Sequence, residues 1–126
     1  MTREETNIMI AEFMGWKNSL EKKNPEYCRW YHPSDLGIMF FPEQLIFDSS
    51  WDWLMPVVEK IEQFEFNDGD KAFVKSFGEN KVRINRFSLH MEETKLASMY
   101  EAVLEFIEWY NMQVVGGAIK KGENGL

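Results

Sequence analysis

One cysteine and two histidines are the residues of this chain best suited to metal ligation or nucleophilic catalysis. Cys28 and His32 stand four apart, a spacing that two ligands on one helical turn could use. Zinc needs two further donors, and the other histidine is the distant His90. An incidental thiol and a surface imidazole are the favoured reading, and no metal site is expected. A Cys28–His90 couple would pair a nucleophile with a base, but no motif surrounds the cysteine and no helix start or basic setting lowers its pKa. Asp48 and Asp52 flank a tryptophan, and Glu92 and Glu93 follow His90. Paired carboxylates can serve acid–base chemistry, yet these sit where helix N-termini favour negative charge, so capping accounts for them better. Asp68-Gly69-Asp70 resembles a piece of a calcium loop whose other ligands and closing glutamate are missing; it reads as a turn. No glycine-rich phosphate loop, zinc-helix motif or serine elbow occurs. The expectation is a chain that is not an enzyme and carries no cofactor.

Two other groups of residues point to binding instead. Lys71, Lys75, Lys81, Arg83 and Arg86 place five of fourteen basic residues in sixteen positions. Phe73 and Phe77 interleave with them, as on a platform for single-stranded nucleic acid. The competing reading is a solvated hairpin face with the phenylalanines turned into the core, and the overall acidity favours it. The second group lies near the C-terminus. Trp109 projects away from the apolar stripe of its helix, with Phe106 at the margin, and Glu101, Glu105 and Glu108 line the opposite side. Aromatics that reach the surface often mark interfaces, because they supply large contact area at low entropy cost. Trp109 is thus a candidate partner or dimer contact, unless the segment 16–35 folds over it.

The elements that must position these residues follow from periodicity and capping. Thr2 and Glu5 have capping-box spacing, Ile10, Phe13 and Met14 form a stripe, and Gly15 offers a stop, so a helix is expected over 2–14. The segment 16–35 lacks a sustained period and reads as a long loop with at most one helical turn. Residues 36–41 form a short apolar run that reads as a strand, and 45–47 as a second short extended piece. A helix over 50–64 is capped by Ser49 with Asp52 in its first turn. Pro56 falls inside it, and the stripe Leu54, Val57, Val58, Ile61 crosses the proline at helical spacing, favouring one helix with a distorted first turn. The turn residues 67–70 precede two alternating runs, 71–77 and 81–87, that read as a hairpin with Val82 and Ile84 facing inward. The clearest helix spans 92–111, with Leu96, Met99, Tyr100, Val103, Leu104, Ile107 and Tyr110 at steps of three and four.

The result is an α+β fold, a small antiparallel sheet made of the hairpin and the strand 36–41, packed with three helices in a sandwich-like arrangement. Residues 1–112 are expected to form one domain and 113–126 a flexible tail. The composition agrees: 126 residues, 44% hydrophobic and 15% aromatic, supply enough apolar material for a core. The formal charge of −7, from 14 basic and 21 acidic residues, makes nucleic acid the less favoured partner. There is no apolar run of membrane-helix length, no signal-peptide layout and no second cysteine for a disulfide. A cytoplasmic location away from membranes is the expectation.

Three segments also carry a resemblance. Ile10-Ala11-Glu12-Phe13-Met14-Gly15-Trp16, the run from Ser50 through Trp51-Asp52-Trp53-Leu54-Met55-Pro56 to Ile61, and Tyr100 through Phe106-Ile107-Glu108-Trp109-Tyr110 to Asn111 look like one ordered set. The set resembles small phage, prophage and mobile-element proteins of Bacteroides and relatives, and the phage domain family described as an alpha-beta-alpha sandwich. It extends over most of residues 5–111, without correspondence between 17 and 47. The resemblance implies a small α/β fold and a phage or integrated-element origin, and carries no catalytic residue. Together these readings lead to a non-enzymatic accessory protein that binds a host or phage protein in the host bacterial cytoplasm. One version is inhibition of a nucleic-acid-handling defence by a phosphate-mimicking face of Glu101, Glu105 and Glu108. The alternative is a nucleic-acid-binding module built on the basic hairpin 71–86.

Overall fold

The computed structural model describes residues 1–18 and 29–117. It shows an α+β fold of three helices and two three-stranded antiparallel sheets. The chain divides into two compact units, Met1–Asp48 and Ser49–Leu126.

In the first unit, helix α1 spans Arg3–Phe13. The Thr2 hydroxyl accepts from the Glu5 backbone N–H and the Glu5 carboxylate accepts from the Thr2 N–H, both at 3.2 Å, which completes the capping box. Gly15, at φ +83°, takes the chain out of the helix in a left-handed conformation that glycine adopts without steric cost. The segment expected as a loop instead contributes strands: β1 (Lys17–Asn18) pairs with β2 (Trp30–His32), and β2 with β3 (Asp35–Phe40). Strands of two and three residues are too short to print a period, which is why the pattern misses them. The expected strand at 36–41 is thus real, but it pairs in this first sheet rather than beside the hairpin. Residues 45–47 join no strand; a 3-10 turn at Pro42–Gln44 precedes them, and Leu45 and Phe47 are buried.

One side chain ties this unit together. Asn7 is fully buried on α1, and its amide donates to the Leu45 carbonyl and to Asp48 Oδ1, each at 2.9 Å. Arg3 reaches the same carboxylate at 2.8 Å and the Leu45 carbonyl at 3.1 Å. Burial pushes the Asp48 carboxyl upward, but the bonds from Arg3 and Asn7 outweigh it and hold it below the usual aspartate value.

In the second unit, helix α2 spans Trp51–Ile61 and runs continuously through Pro56. Its N-cap is Ser50, not Ser49, and the helix ends three residues earlier than expected. Leu54, Val57, Val58 and Ile61 form its buried stripe, as the spacing predicts. The turn at 67–70 leads to the second sheet, β4 (Val74–Phe77), β5 (Lys81–Ile84) and β6 (Leu89–Met91), in that order across the sheet. Gly78 opens the β4–β5 turn at φ +61°. The hairpin register pairs Val74 with Ile84, Lys75 with Arg83, Ser76 with Val82 and Phe77 with Lys81. The third strand, β6, is an addition to the expected hairpin, pairing Lys81 with Met91 and Arg83 with Leu89.

Helix α3 covers Lys95–Val115. It begins later than expected because the Thr94 hydroxyl accepts from the Ala97 N–H at 3.1 Å and caps it there, leaving Glu92 and Glu93 ahead of the helix. It extends into the stretch expected as a tail, whose residues 118–126 lie outside the described residues. The stripe Met99, Tyr100, Val103, Leu104, Ile107 and Tyr110 is buried. Ala102 and Phe106 are buried beside it, because α3 packs against α2 as well as against β5 and β6. Ser98, fully buried on the first turns, accepts from the Glu92 N–H at 2.7 Å and donates to the Asn80 carbonyl, pinning the helix start to the sheet.

Candidate binding surfaces

Among the described residues no group of three or more histidine, cysteine or acidic side chains could hold a metal ion. Cys28 lies outside the described residues. His32 is exposed, with Nδ1 bonded to the N–H and hydroxyl of Ser34 at 3.0 and 2.7 Å. His90 belongs to a different arrangement: its Nε2 meets Glu105 Oε1 at 3.1 Å. Asp48 is engaged by Arg3 and Asn7, and Asp52 is exposed on the first turn of α2.

The residues around Trp109 form a groove. Its indole meets the rings of Phe87, Phe64, Phe66 and Phe106 at centroid distances of 5.5 to 5.8 Å, mostly in tilted or edge-on geometry. Such pairs add about 0.5–1.5 kcal/mol each beyond area burial. Trp109 is therefore half-buried, and its cover within the second unit is this ring cluster. Phe106, expected at the margin of the apolar stripe and as a contact residue, is fully buried, so it supports the groove from beneath and presents nothing to a partner. Beside the rings lies an open depression of about 560 Å³, lined by Phe66, Arg86, Phe87, Glu105, Glu108, Trp109 and Met112.

The three glutamates expected to form one acidic face divide by role. Glu105 turns toward the sheet, accepting from the Ser88 N–H and hydroxyl, both at 2.9 Å, as well as meeting His90. Burial alone raises its pKa, but the bonds from His90 and Ser88 prevail and hold it below the ordinary glutamate value. Glu108 is exposed at the groove and Glu101 is partly exposed a further turn away. Arg86, on the groove's other side, has φ +75°, a conformation costly for a residue with a Cβ. Its guanidinium lies 4.3 Å from the Phe66 ring centroid and pairs with both Asp68 and Asp70. The two aspartates more than neutralise it, so the groove as a whole is anionic.

The outward face of the second sheet has the opposite character. Val82 and Ile84 point inward and are fully buried, as expected. The backbone bond from the Asn85 N–H to the Phe73 carbonyl extends the β4–β5 register, so Phe73 stands on the same face as Lys75 and Phe77. The phenylalanines are thus not turned into the core: Phe73 is 51% exposed. Lys81 and Arg83 on β5 and Leu89 and Met91 on β6, the last two 50% and 61% exposed, complete the face. Lys71 is exposed just ahead of β4, where its backbone makes an isolated antiparallel β-bridge with Glu65. Of the five basic residues expected to act together, Lys75, Lys81 and Arg83 share this face, while Arg86 is taken up by Asp68 and Asp70. Leu89 and Met91 were not anticipated; the alternation of Leu89, His90 and Met91 is their only signal in the sequence.

No family model matches the chain, and searches of curated proteins and of solved structures give no significant match. Among the described residues, no helix is long and apolar enough to cross a membrane.

Proposed function

We propose that the chain is a non-enzymatic binding module that docks a protein partner in the groove beside Trp109. The role would be an accessory one in the host cytoplasm, of the kind implied by the resemblance to phage and mobile-element proteins. The observation that supports it is the groove itself: an open depression with aromatic walls, a flexible methionine at its rim and uncompensated carboxylate charge. Met112 is 70% exposed there. Tryptophan is among the residues that dominate protein hot spots, and Glu108 adds a charged group at the rim. The surplus of negative charge fits a partner segment bearing arginine or lysine, whose cation would lie against the indole as Arg86 already lies against Phe66.

Trp109→Ala is a poor test, because emptying the ring cluster would cost about 3–5 kcal/mol of stability. Rim variants are cleaner. Affinity capture from a bacterial lysate should yield one protein with wild type and with Lys75→Glu, and lose it with Met112→Arg and with Glu108→Lys. A captured protein indifferent to both rim variants, or no captured protein, would overturn the reading.

A further inference from the structure

The outward face of the second sheet differs from the groove in sign and in shape. Its positions are Phe73, Lys75 and Phe77 on one edge, Arg83 and Lys81 in the middle, and the apolar pair of β6 on the other edge. None of the outward residues of these strands is acidic, in a chain whose net charge is −7. Among the described residues Lys75, Lys81 and Arg83 form no ion pair. Lys75 and Arg83 stand directly opposite each other, and like charges so placed oppose sheet formation. Half-exposed Phe73 likewise leaves stabilising burial unused. Folding gains from this arrangement only the 3.0 Å bond from Arg83 Nε to the Phe87 carbonyl and the Lys75–Phe77 contact; an anionic ligand with flat faces would gain more.

We infer that this face binds single-stranded nucleic acid. Phe73 and Phe77, about 13 Å apart along the strand, are stacking surfaces for bases, and Lys75, Arg83 and Lys81 meet the intervening phosphates. Lys75 already lies 5.6 Å from the Phe77 ring centroid, so cation and ring sit close enough for one nucleotide to touch both. Non-specific strand binding needs just this combination of a cationic track and aromatic faces. A duplex fits less well, since its bases are stacked and unavailable to the rings. The acidity of the whole chain does not oppose local binding, because charges beyond a Debye length of about 8 Å are largely screened at physiological salt.

The test is fluorescence anisotropy with labelled oligothymidylate and oligouridylate of about fifteen nucleotides, using the full chain at several salt concentrations. Binding is expected, with log Kobs falling against log salt at a slope near −2, about 0.7 for each of three phosphate contacts. Lys75→Glu with Arg83→Glu should abolish it. Phe73→Ala should weaken it about five- to hundredfold with the salt slope unchanged, since it removes stacking and no charge. All three residues are exposed, and circular dichroism melts verify that the variants fold. A preference between the two strands would identify DNA or RNA as the source. Absence of binding at low salt overturns the inference. So does binding that survives Phe73→Ala and is matched by polyglutamate, which would mark a simple polyanion attractor. A dimer broken by Met91→Glu and not dissociated by oligonucleotide would assign the face to self-association, again overturning it.

Discussion

A buried carboxamide stabilises a fold only while its partners are in place, and Asn7 has two. Its amide group bonds the Leu45 carbonyl and the Asp48 carboxylate across some forty residues of sequence. Asn7→Leu, which keeps the heavy-atom skeleton but makes no hydrogen bond, would take one donor from the Leu45 carbonyl and one from Asp48, leaving each to Arg3. A loss of about 1–3 kcal/mol is expected, read as a lower denaturant midpoint at unchanged m-value. Ser98 poses the same question in the second unit. Its hydroxyl both donates and accepts, so Ser98→Ala orphans the Asn80 carbonyl and the Glu92 N–H together. A comparable loss is expected there, accompanied by faster hydrogen exchange at Glu92. Neither residue is marked by its sequence context: an asparagine at the seventh position and a serine in a helix read as surface residues until tertiary structure supplies their partners.

At the scale of elements, α2 contains the sharpest test. Pro56 lies in the interior of the helix and is exposed, so it withholds the N–H that the Asp52 carbonyl would accept and buries nothing in return. Pro56→Ala should therefore stabilise the protein, by about 1–3 kcal/mol, and raise the thermal midpoint; an unchanged or lower midpoint would show the proline to be needed where it is. That the helix crosses Pro56 was legible from its apolar stripe, as the capping box of α1, the β4–β5 hairpin and the face of α3 were from theirs. What escaped was set by partners distant in sequence. Strands β1 and β2 exist because they pair, and three-residue β6 exists because it adds to β5. The start of α3 was fixed by which of several polar residues made the capping bond. The binding surfaces follow the same rule. Period two places Phe73, Lys75 and Phe77 on one side, but only the packing of α3 against Val82 and Ile84 decides that this side faces water. For Glu101, Glu105 and Glu108, helical spacing implied a shared face, and Ser88 and His90 withdrew the middle one from it.

For the molecule as a whole, each compact unit holds a partly buried carboxylate whose affinity for protons is lowered by folding, Asp48 in the first and Glu105 in the second. In the unfolded chain both bind protons more readily, so acid favours unfolding. Their contribution is complete above the unfolded-state values of about 3.8 and 4.5. It is lost as pH falls through the lower folded-state values. Both groups are partly exposed, with Asp48 at 25% and Glu105 at 33%, so solvent screening holds each pairing, Asp48 with Arg3 and Glu105 with His90, to no more than about 1 kcal/mol. The wild-type unfolding midpoint should decline once pH drops below about 4.5. Glu105→Gln should be less stable than wild type at pH 6, with the gap narrowing as acid below about 4.5 protonates the wild-type carboxyl. Arg3→Gln tests the other unit, with a gap that narrows only in part as acid protonates Asp48, because Arg3 also bonds the Leu45 carbonyl. A gap that did not narrow at all while acid lowered the wild-type midpoint would show that shape or neutral hydrogen bonding, and not charge, makes these two side chains stabilising.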